Sequence, residues 1–418
     1  MRSNLELLSR RRRPRSRYRR NLTLQVLGVG GVNMALQFGS PEVVLPWVGH
    51  HLGVAYVVVA MLVPLVEAGY VTSQLSLAAL IGHVPLRKYG LIVAGLALAA
   101  VFGLIFVATQ VSPVGAALSL LAFAVLFGLG FGAFMLSSND LIGKTVPGQL
   151  RGHLLARGAA VGGVVTLGAV FALSMLMPAV AGNHIILVWL AAGAWLGAVL
   201  VYAGVLEEPS RPQTSQGQAV SLRKSWQLIG KLPWFRRLLV LRVLLLSVEI
   251  GITFYAIHAA TLHGPTIQSL SGFVVAMSMG LVLSGPVWGR LVDRHNALAL
   301  VAASLLAAVS GVVVLIMDAL GEPGGPFVHG LLFLPLSLAA EGSYQGRTRA
   351  LLSRTSEQDR PTLLALSSAL LAAAGVGVAL ILGVVGHLHD IRTPLAILIL
   401  INIAAALYVP RALGPKAD

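Results

Sequence analysis

Gly289-Arg290-Leu291-Val292-Asp293-Arg294 lies between two long apolar runs in the second half of the chain. A short charged stretch between two lipid-soluble segments is typical of a hairpin that joins two membrane helices. The stretch Gly82-His83-Val84-Pro85-Leu86-Arg87 has the same kind of neighbours 207 residues earlier (289 minus 82). The two stretches therefore predict a chain built as two halves on one plan, with these loops as matching joints.

The composition indicates a protein whose natural solvent is lipid. Of 418 residues, 56% are hydrophobic and only 11% are charged, which leaves too little polar surface to cover a soluble globule. The net charge of +15 does not indicate a nucleic-acid partner, because the basic residues stand mostly in short gaps between apolar runs. The chain has no cysteine, which excludes disulfides, thiolate metal sites and cysteine nucleophiles.

Apolar runs long enough to cross the hydrocarbon layer predict an all-α integral membrane protein with twelve transmembrane helices in two pseudo-symmetric six-helix bundles. The runs lie near 22–47, 54–81, 89–109, 114–137, 154–178, 184–205, 239–262, 269–288, 297–317, 326–344, 363–386 and 393–410. The domain boundaries predicted from them are a basic cytoplasmic tail 1–20, a first bundle 21–206, a cytoplasmic linker 207–237, a second bundle 238–411 and a cytoplasmic tail 412–418.

The distribution of Lys and Arg predicts the orientation, because these residues are retained on the cytoplasmic side. With both termini inside, the alternation of helices leaves only Arg392 outside, so that 29 of the 30 cations are internal. We therefore expect a multi-pass protein of the cell's inner membrane with cytoplasmic termini. The arginine-rich tail 1–20 is interpreted as an anchor that contacts anionic lipid, with docking of a protein partner as the alternative.

Further matches at nearly constant offset favour duplication of a six-helix unit. Ser40-Pro41-Glu42 and Ser247-Val248-Glu249 are 207 residues apart. Gly143-Lys144-Thr145 and Gly346-Arg347-Thr348, each expected in a loop, are 203 residues apart. Each match is weak alone, and their agreement is what supports the repeat.

In these features the sequence resembles the major facilitator superfamily (MFS). Gly289 to Arg294 is similar to that family's G-x-L-x-D-R loop between helices eight and nine, and some stretches resemble a largely uncharacterised bacterial branch. The resemblance implies a fold in which helices one, four, seven and ten line a central cavity. One departure stands out, because the acidic position of the first loop is occupied by Leu86.

The resemblance also implies a cytoplasmic latch that holds the two halves closed on the inside. Its candidate residues are Gly289, Asp293 and Arg294 in the second joint, with Gly82 and Arg87 in the first. Asp293 can form an ion pair with a basic side chain, or it can accept hydrogen bonds from the N–H groups in the first turn of a neighbouring helix. The alternative is a solvated turn that only enforces topology. Because the first joint lacks the acid, we expect the latch to depend on Asp293.

Four glutamates and one histidine are candidates for a substrate or proton pathway: Glu42, Glu67, Glu249, Glu341 and His258. A carboxylate within a membrane span costs a few kcal/mol or more unless it is paired, hydrated or protonated. Loss of water disfavours the charged form, so Glu67 or Glu249 could bind and release a proton. The alternative for each glutamate is a structural hydrogen bond. For His258, which is expected near an outer helix end, the alternative is a hydrated helix-end residue.

These features favour a secondary active transporter that moves a small molecule by alternating access, with coupling to protons as a further hypothesis. The chain is not expected to be an enzyme, to carry a cofactor or metal, or to be more than a monomer. An alternative of a different class is a non-transporting carrier or assembly factor that holds a lipid-like or pigment-like ligand.

Overall fold

The computed structural model describes residues 15–176, 185–209, 232–263, 267–321, 325–355 and 360–414. Within these ranges the chain contains helices and no β-strand. Helix suits a hydrocarbon solvent, because every backbone N–H and C=O finds its partner inside the segment. The predicted basic tail up to residue 14, most of the predicted linker and the last four residues of the C-terminal tail lie outside the described residues.

Eight helices precede the linker and six follow it in the described part of the chain. The first eight are α1 Arg15–Phe38, α2 Val44–His51, α3 Tyr56–His83, α4 Arg87–Val101, α5 Gly103–Ala108, α6 Pro113–Thr145, α7 Gly148–Leu176 and α8 Ile185–Ala203. The other six are α9 Pro233–Leu262, α10 Ile267–Arg294, α11 Asn296–Ala319, α12 Pro326–Leu352, α13 Arg360–Leu388 and α14 Arg392–Leu413. Two predicted runs are each broken into a pair of helices, α1 with α2 and α4 with α5.

Ten helical spans of the described residues are long and apolar enough to cross a membrane, and α4 and α5 together make one of them. The helices α1, α2 and α12 are not among the ten. Helix α12 contains Glu341, Arg347 and Arg349, which lower its mean hydropathy. The all-α membrane fold is confirmed, whereas the count of twelve spans stays a prediction.

The second joint is shorter than expected. Helix α10 continues through Gly289 to Arg294, and His295 alone separates it from α11. In the first joint α3 ends at His83, and the connection is Val84-Pro85-Leu86. The charged side chains in the last turns of α10 can extend to water. The helix can therefore continue beyond the end of its apolar run. Pro85 stops continuation in the first joint because it has no N–H to donate.

The helix contacts repeat between the halves. In the first half α3 and α4 both pack on α6, and α4 packs on α8. In the second half α10 and α11 both pack on α12, and α11 packs on α14. Contacts between the halves run mainly along two pairs, α3 with α13 and α7 with α10. The same sequence pattern thus folds twice into the same packing, with a seam between the two copies.

Small residues let the halves approach closely at the end predicted to face outside. A Cβ added to Gly383 of α13 would lie 2.8 Å from Val57 Cα and 3.3 Å from Ala60 Cβ of α3. Trp47 of α2 and Phe273 of α10 pack with ring centroids 5.6 Å apart, also across the seam. We call this the outer end, and in this structure it is packed closed.

Candidate functional site

A buried ion pair lies at the centre of the second half. Glu249 of α9 accepts a hydrogen bond from Nη2 of Arg347 on α12, and their side chains are 23% and 9% exposed. Arg347 also lies 5.6 Å from the ring centroid of Tyr344, in a cation–π arrangement. The sequence had indicated an inner loop for Arg347, and this expectation is wrong, because α12 continues to Leu352 and carries the guanidinium inward.

The other three candidate glutamates face this pair. Glu42 interacts electrostatically with Glu67, Glu249, Glu341 and Arg347. Glu67 in turn interacts with Glu249 and Arg347, which belong to the other half. Glu341 interacts with Glu249. We call these four glutamates and Arg347 the central cluster. It combines four carboxyl groups with one guanidinium and draws residues from both halves.

A break in the first predicted helix places Glu42 in the cluster. The helical pattern stops at Phe38, and Val44 begins the next helix. In the gap, the Ser40 hydroxyl accepts hydrogen bonds from the N–H groups of Glu42 and Val43, each at 3.2 Å. Irregular backbone within a membrane protein is tolerated where it is buried in protein or lines a cavity. Glu42 was expected inside a helix, and it lies instead in this non-helical segment.

Tyrosines and amides border the cluster. The Tyr344 side chain is 58% exposed, and Tyr344 interacts electrostatically with Glu67 of the other half. Gln74 forms a hydrogen bond with the Tyr70 side chain on α3, and Gln345 forms one with the Glu341 side chain on α12. Tyr344 therefore lies on the side of α12 that is turned toward the first half. The arrangement can bind protons or a polar small molecule there.

His258 lies apart from the central cluster. It is buried near the outer end of α9, and its Nε2 is 3.7 Å from Oδ2 of Asp318 on α11. The same oxygen is 2.6 Å from Nε of Arg392, the one cation expected outside. The five pathway candidates are thus divided between two places. In the described part of the chain, no group of three His, Cys, Asp or Glu side chains is arranged to hold a metal ion.

The latch candidates of the second joint lie at the end of α10 that is predicted to be cytoplasmic. Asp293 Oδ1 is 2.6 Å from Nη1 of Arg349 on α12, and Nη2 of Arg349 donates to the Asp293 carbonyl at 3.0 Å. Arg294 is exposed, and a Cβ on Gly289 would meet nothing within 4 Å. The Asp293 contact therefore stays within the second half, and the latch between the halves stays a prediction.

The first joint is held by a carboxylate that the sequence did not single out. Oε1 and Oε2 of Glu207 accept from the N–H groups of Arg87 and Lys88, each at 2.9 Å, at the first turn of α4. Oε1 is also 3.1 Å from Nζ of Lys144, and the Glu207 side chain is fully buried. Arg87 itself pairs with Asp140 of α6 at 2.9 Å. Gly82 lies in the last turn of α3.

Two charged residues that make these buried contacts are missing from the sequence-based candidates, for different reasons. Arg347 looks like a loop cation because the apolar run stops near residue 344, although its spacing from Glu341 places the two side chains within two turns of one helix. Glu207 falls at the start of the predicted linker, and its role depends on tertiary contacts more than 110 residues away along the chain. No local pattern marks that role.

Comparison with known proteins agrees with this architecture. The model of the Major Facilitator Superfamily matches residues 27–346, which is more than half of the chain. The chain belongs to the Major Facilitator Superfamily. Uncharacterized proteins of Mycobacterium tuberculosis and Mycobacterium bovis are each 26% identical to it, over 96% of this chain and 79% of theirs. This MFS membership makes the chain a multi-pass membrane protein of a transporter family.

Solved MFS structures share the fold at low identity. A D-xylose-proton symporter superposes with a TM-score of 0.68 at 15% identity, covering 93% of this chain and 96% of the symporter. The nucleoside transporter NupG superposes with a TM-score of 0.67 at 13% identity, covering 94% of this chain and 100% of NupG. At such identities the likeness establishes the fold alone.

Proposed function

We propose that this MFS protein is a secondary active transporter that moves a small molecule across the cytoplasmic membrane by alternating access, coupled to protons at Glu249. The observation that carries the proposal is the central cluster, in which the Glu249–Arg347 pair faces carboxylates from the other half. Both termini are proposed to be cytoplasmic, the basic tail to contact anionic lipid, and the protein to act as a monomer.

The seam between the halves supports alternating access. Its described contacts include small residues such as Gly383 against Ala60 at the outer end and Gly163 against Val282 farther in. Contacts of this kind can separate without leaving a buried charge unpaired. A substrate held in the central cluster would then face one side or the other as the two halves rock.

The central cluster supports a proton step. With Glu249 ionised, its carboxylate neutralises the Arg347 guanidinium, and the pair stays within the second half. A proton on Glu249 would remove that attraction, because the neutral acid no longer forms an ion pair. Arg347 would then be drawn to whichever of Glu42 and Glu67 in the first half is ionised, since both interact with it electrostatically. Proton binding would thus change the attraction between the two halves.

Glu249→Gln tests the coupling. A thermal-shift screen of the purified protein against a metabolite and drug panel first identifies a ligand, and flux of that ligand is then measured in proteoliposomes with an imposed pH gradient. We expect gradient-driven flux to fall about tenfold or more, equivalent to at least about 1.4 kcal/mol. Glu208→Gln, the same chemical change at an exposed cytoplasmic position, should leave flux unchanged.

Two results would contradict the proposal in different ways. Flux that ignores the pH gradient, with Glu249→Gln fully active, would leave a transporter without proton coupling at this site. A tightly co-purifying hydrophobic ligand with no flux in proteoliposomes would instead favour the alternative, a non-transporting carrier of a lipid-like or pigment-like molecule.

A further inference from the structure

A second polar cluster lies at the outer end of the C-terminal half. His258 is 1% exposed, and neither of its ring nitrogens has a hydrogen-bond partner among the described residues. Its nearest charged atom is Oδ2 of Asp318 at 3.7 Å, which is an ion-pair distance but too long for a hydrogen bond. Asp318 is itself 8% exposed and is paired with Arg392 at 2.6 Å. A buried imidazole without hydrogen bonds is energetically costly, so its presence here needs an explanation.

Other titratable groups surround His258 without forming an ion pair with it. The His329 ring of α12 is 6.0 Å from the His258 ring and 5.4 Å from that of His263, which directly follows α9. Arg392 reaches Asp390 at 3.6 Å. From the first half, α2 contributes His50, whose ring stacks on Tyr56 with centroids 6.0 Å apart, and His51, whose ring centroid lies 5.6 Å from that of Trp47.

The cluster opens to a cavity at the seam between the halves. The cavity has a volume of about 270 Å³ and is lined by His258, Asp390 and Arg392 of the second half and by Tyr56 of the first. Tyr56 also interacts electrostatically with Asp390 across the seam. A polar cavity of this size can hold water. Protons can therefore reach the imidazole from the outer side.

A proton on His258 would change the net charge of this cluster. Asp318 and Asp390 contribute two negative charges and Arg392 one positive charge, so the cluster carries a net charge of about −1 with neutral imidazoles. One proton on His258 brings the net charge to about zero and pairs the imidazolium with Asp318. Neutralisation at a buried place favours the packed arrangement over one opened to water.

We propose that His258 is a proton-binding site reached from the outer end, and that its protonation holds the outer end of the transporter closed. This site is distinct from Glu249 in the central cluster. With the proton bound, Asp318 has two cations, and Arg392 is freer to pair with Asp390. Asp390 interacts electrostatically with Tyr56, so the change in charge acts on the first turn of α3. Four residues farther along, Ala60 packs against Gly383 across the seam.

The cysteine-free sequence allows a direct test. Ala60→Cys places a thiol at a position that is 2% exposed in the closed outer end. Cells expressing it are labelled from outside with a membrane-impermeant thiol reagent at about pH 5.5 and about pH 7.5, on either side of the usual histidine pKa. We expect labelling to be about fivefold or more slower at the acid pH, after correction for the reactivity of a free thiol.

Three variants in the Ala60→Cys background identify the group that responds. His258→Gln should remove the pH dependence. Asp318→Asn should remove or reverse it, because the cluster is then already neutral without the proton. His389→Asn, which changes an exposed histidine lining the same cavity, should leave it intact.

Labelling that does not vary with pH in the parent, or that still varies in His258→Gln, would overturn the proposal. If His258→Gln fails to fold by size-exclusion chromatography, Asp318→Asn decides, and a retained response overturns it. Glu249→Gln separates this inference from the proposed function, because the measurement needs no substrate. A response lost in Glu249→Gln and kept in His258→Gln would assign the pH response to the central cluster, leaving proton coupling intact and this inference refuted.

Discussion

The two joints, both predicted to be cytoplasmic, occupy the same place in the two halves and are built differently. In the first joint Glu207 caps the first turn of α4 with a fully buried side chain, and Arg87 pairs with Asp140. In the second joint Asp293 and Arg349 form an exposed pair, with side chains 67% and 44% exposed. The duplicated plan has therefore kept the position of the joint while its charges and burial have changed.

The acid and the cation of the ion pair exchange positions between the two joints. In the first half the cation begins α4 and the acid is on α6, whereas in the second half the acid ends α10 and the cation is on α12. A buried network is expensive to break, because the remaining partner is left unpaired. An exposed pair contributes about 0–1 kcal/mol. The first joint is thus suited to fix helix ends, and the second can form and break at little cost.

Among the variants that test this comparison, Glu207→Ala should have the largest effect on stability. It removes the acceptor for two N–H groups at the start of α4 and leaves Lys144 without this carboxylate. We expect a loss of about 3 kcal/mol in the free energy of unfolding, measured as a lower thermal midpoint in detergent. Glu208→Ala, at the neighbouring exposed position, should change the midpoint far less. Equal shifts would mean that Glu207 does not hold the joint.

Leu86→Asp should sharpen the comparison by returning an acid to the first joint. Leu86 precedes α4 in extended conformation, with φ −116° and ψ 107°, which is the geometry of an N-cap. In the Glu207→Ala background, the introduced carboxylate should accept from the first turn of α4 and recover about 1 kcal/mol of unfolding free energy, measured by the same thermal midpoint. In the presence of Glu207 the gain should vanish, because the Glu207 carboxylate already occupies those N–H groups. Equal gains in both backgrounds would show that the two carboxylates do not share a role.

Sequence reasoning predicted the fold well because the dominant force leaves a visible pattern. Long apolar runs and the confinement of Lys and Arg to their ends are enough to indicate a bundle of membrane helices. The constant offset between Ser40-Pro41-Glu42 and Ser247-Val248-Glu249 directed attention to two carboxylates that the structure does place near each other. The break at Gly39 to Val43 was not predicted, because the apolar runs on its two sides were interpreted as one span, although Gly39, Ser40 and Pro41 favour a helix break.

The charged contacts were harder to predict, since they depend on where helices end and what lies beside them. Arg347 lies beyond the apolar run, and only a helix that continues past that run brings it to Glu249. Glu207 follows α8 along the chain, and its contacts with α4 exist only when α4 and α8 are packed together. Hydrophobic runs contain no information about such contacts. The sequence therefore predicted which types of residue would matter, but it did not predict the residues with which they pair.

Asp293→Ala should have the smallest effect on stability, about 0–1 kcal/mol, because the pair is mostly exposed. Its effect on conformation decides whether the second joint is a latch. A thiol at Leu150→Cys, exposed at the cytoplasmic end of α7, can be labelled in inside-out vesicles. If the pair biases the inner end toward closure, Asp293→Ala should speed labelling by up to about fivefold, equivalent to about 1 kcal/mol.

Arg349→Ala is the matched variant for that measurement, and the two changes should give the same shift if the pair acts as a unit. Exchanging the charges, Asp293→Arg with Arg349→Asp, should return labelling toward the parent rate. A shift in Asp293→Ala alone would mean that Asp293 acts through a group other than Arg349, such as a helix of the first half. No shift in either variant would mean that the Asp293–Arg349 pair is only a surface contact at the end of α10. The first joint, with its buried contacts around Glu207, would then be the one that fixes the helix ends on the predicted cytoplasmic side.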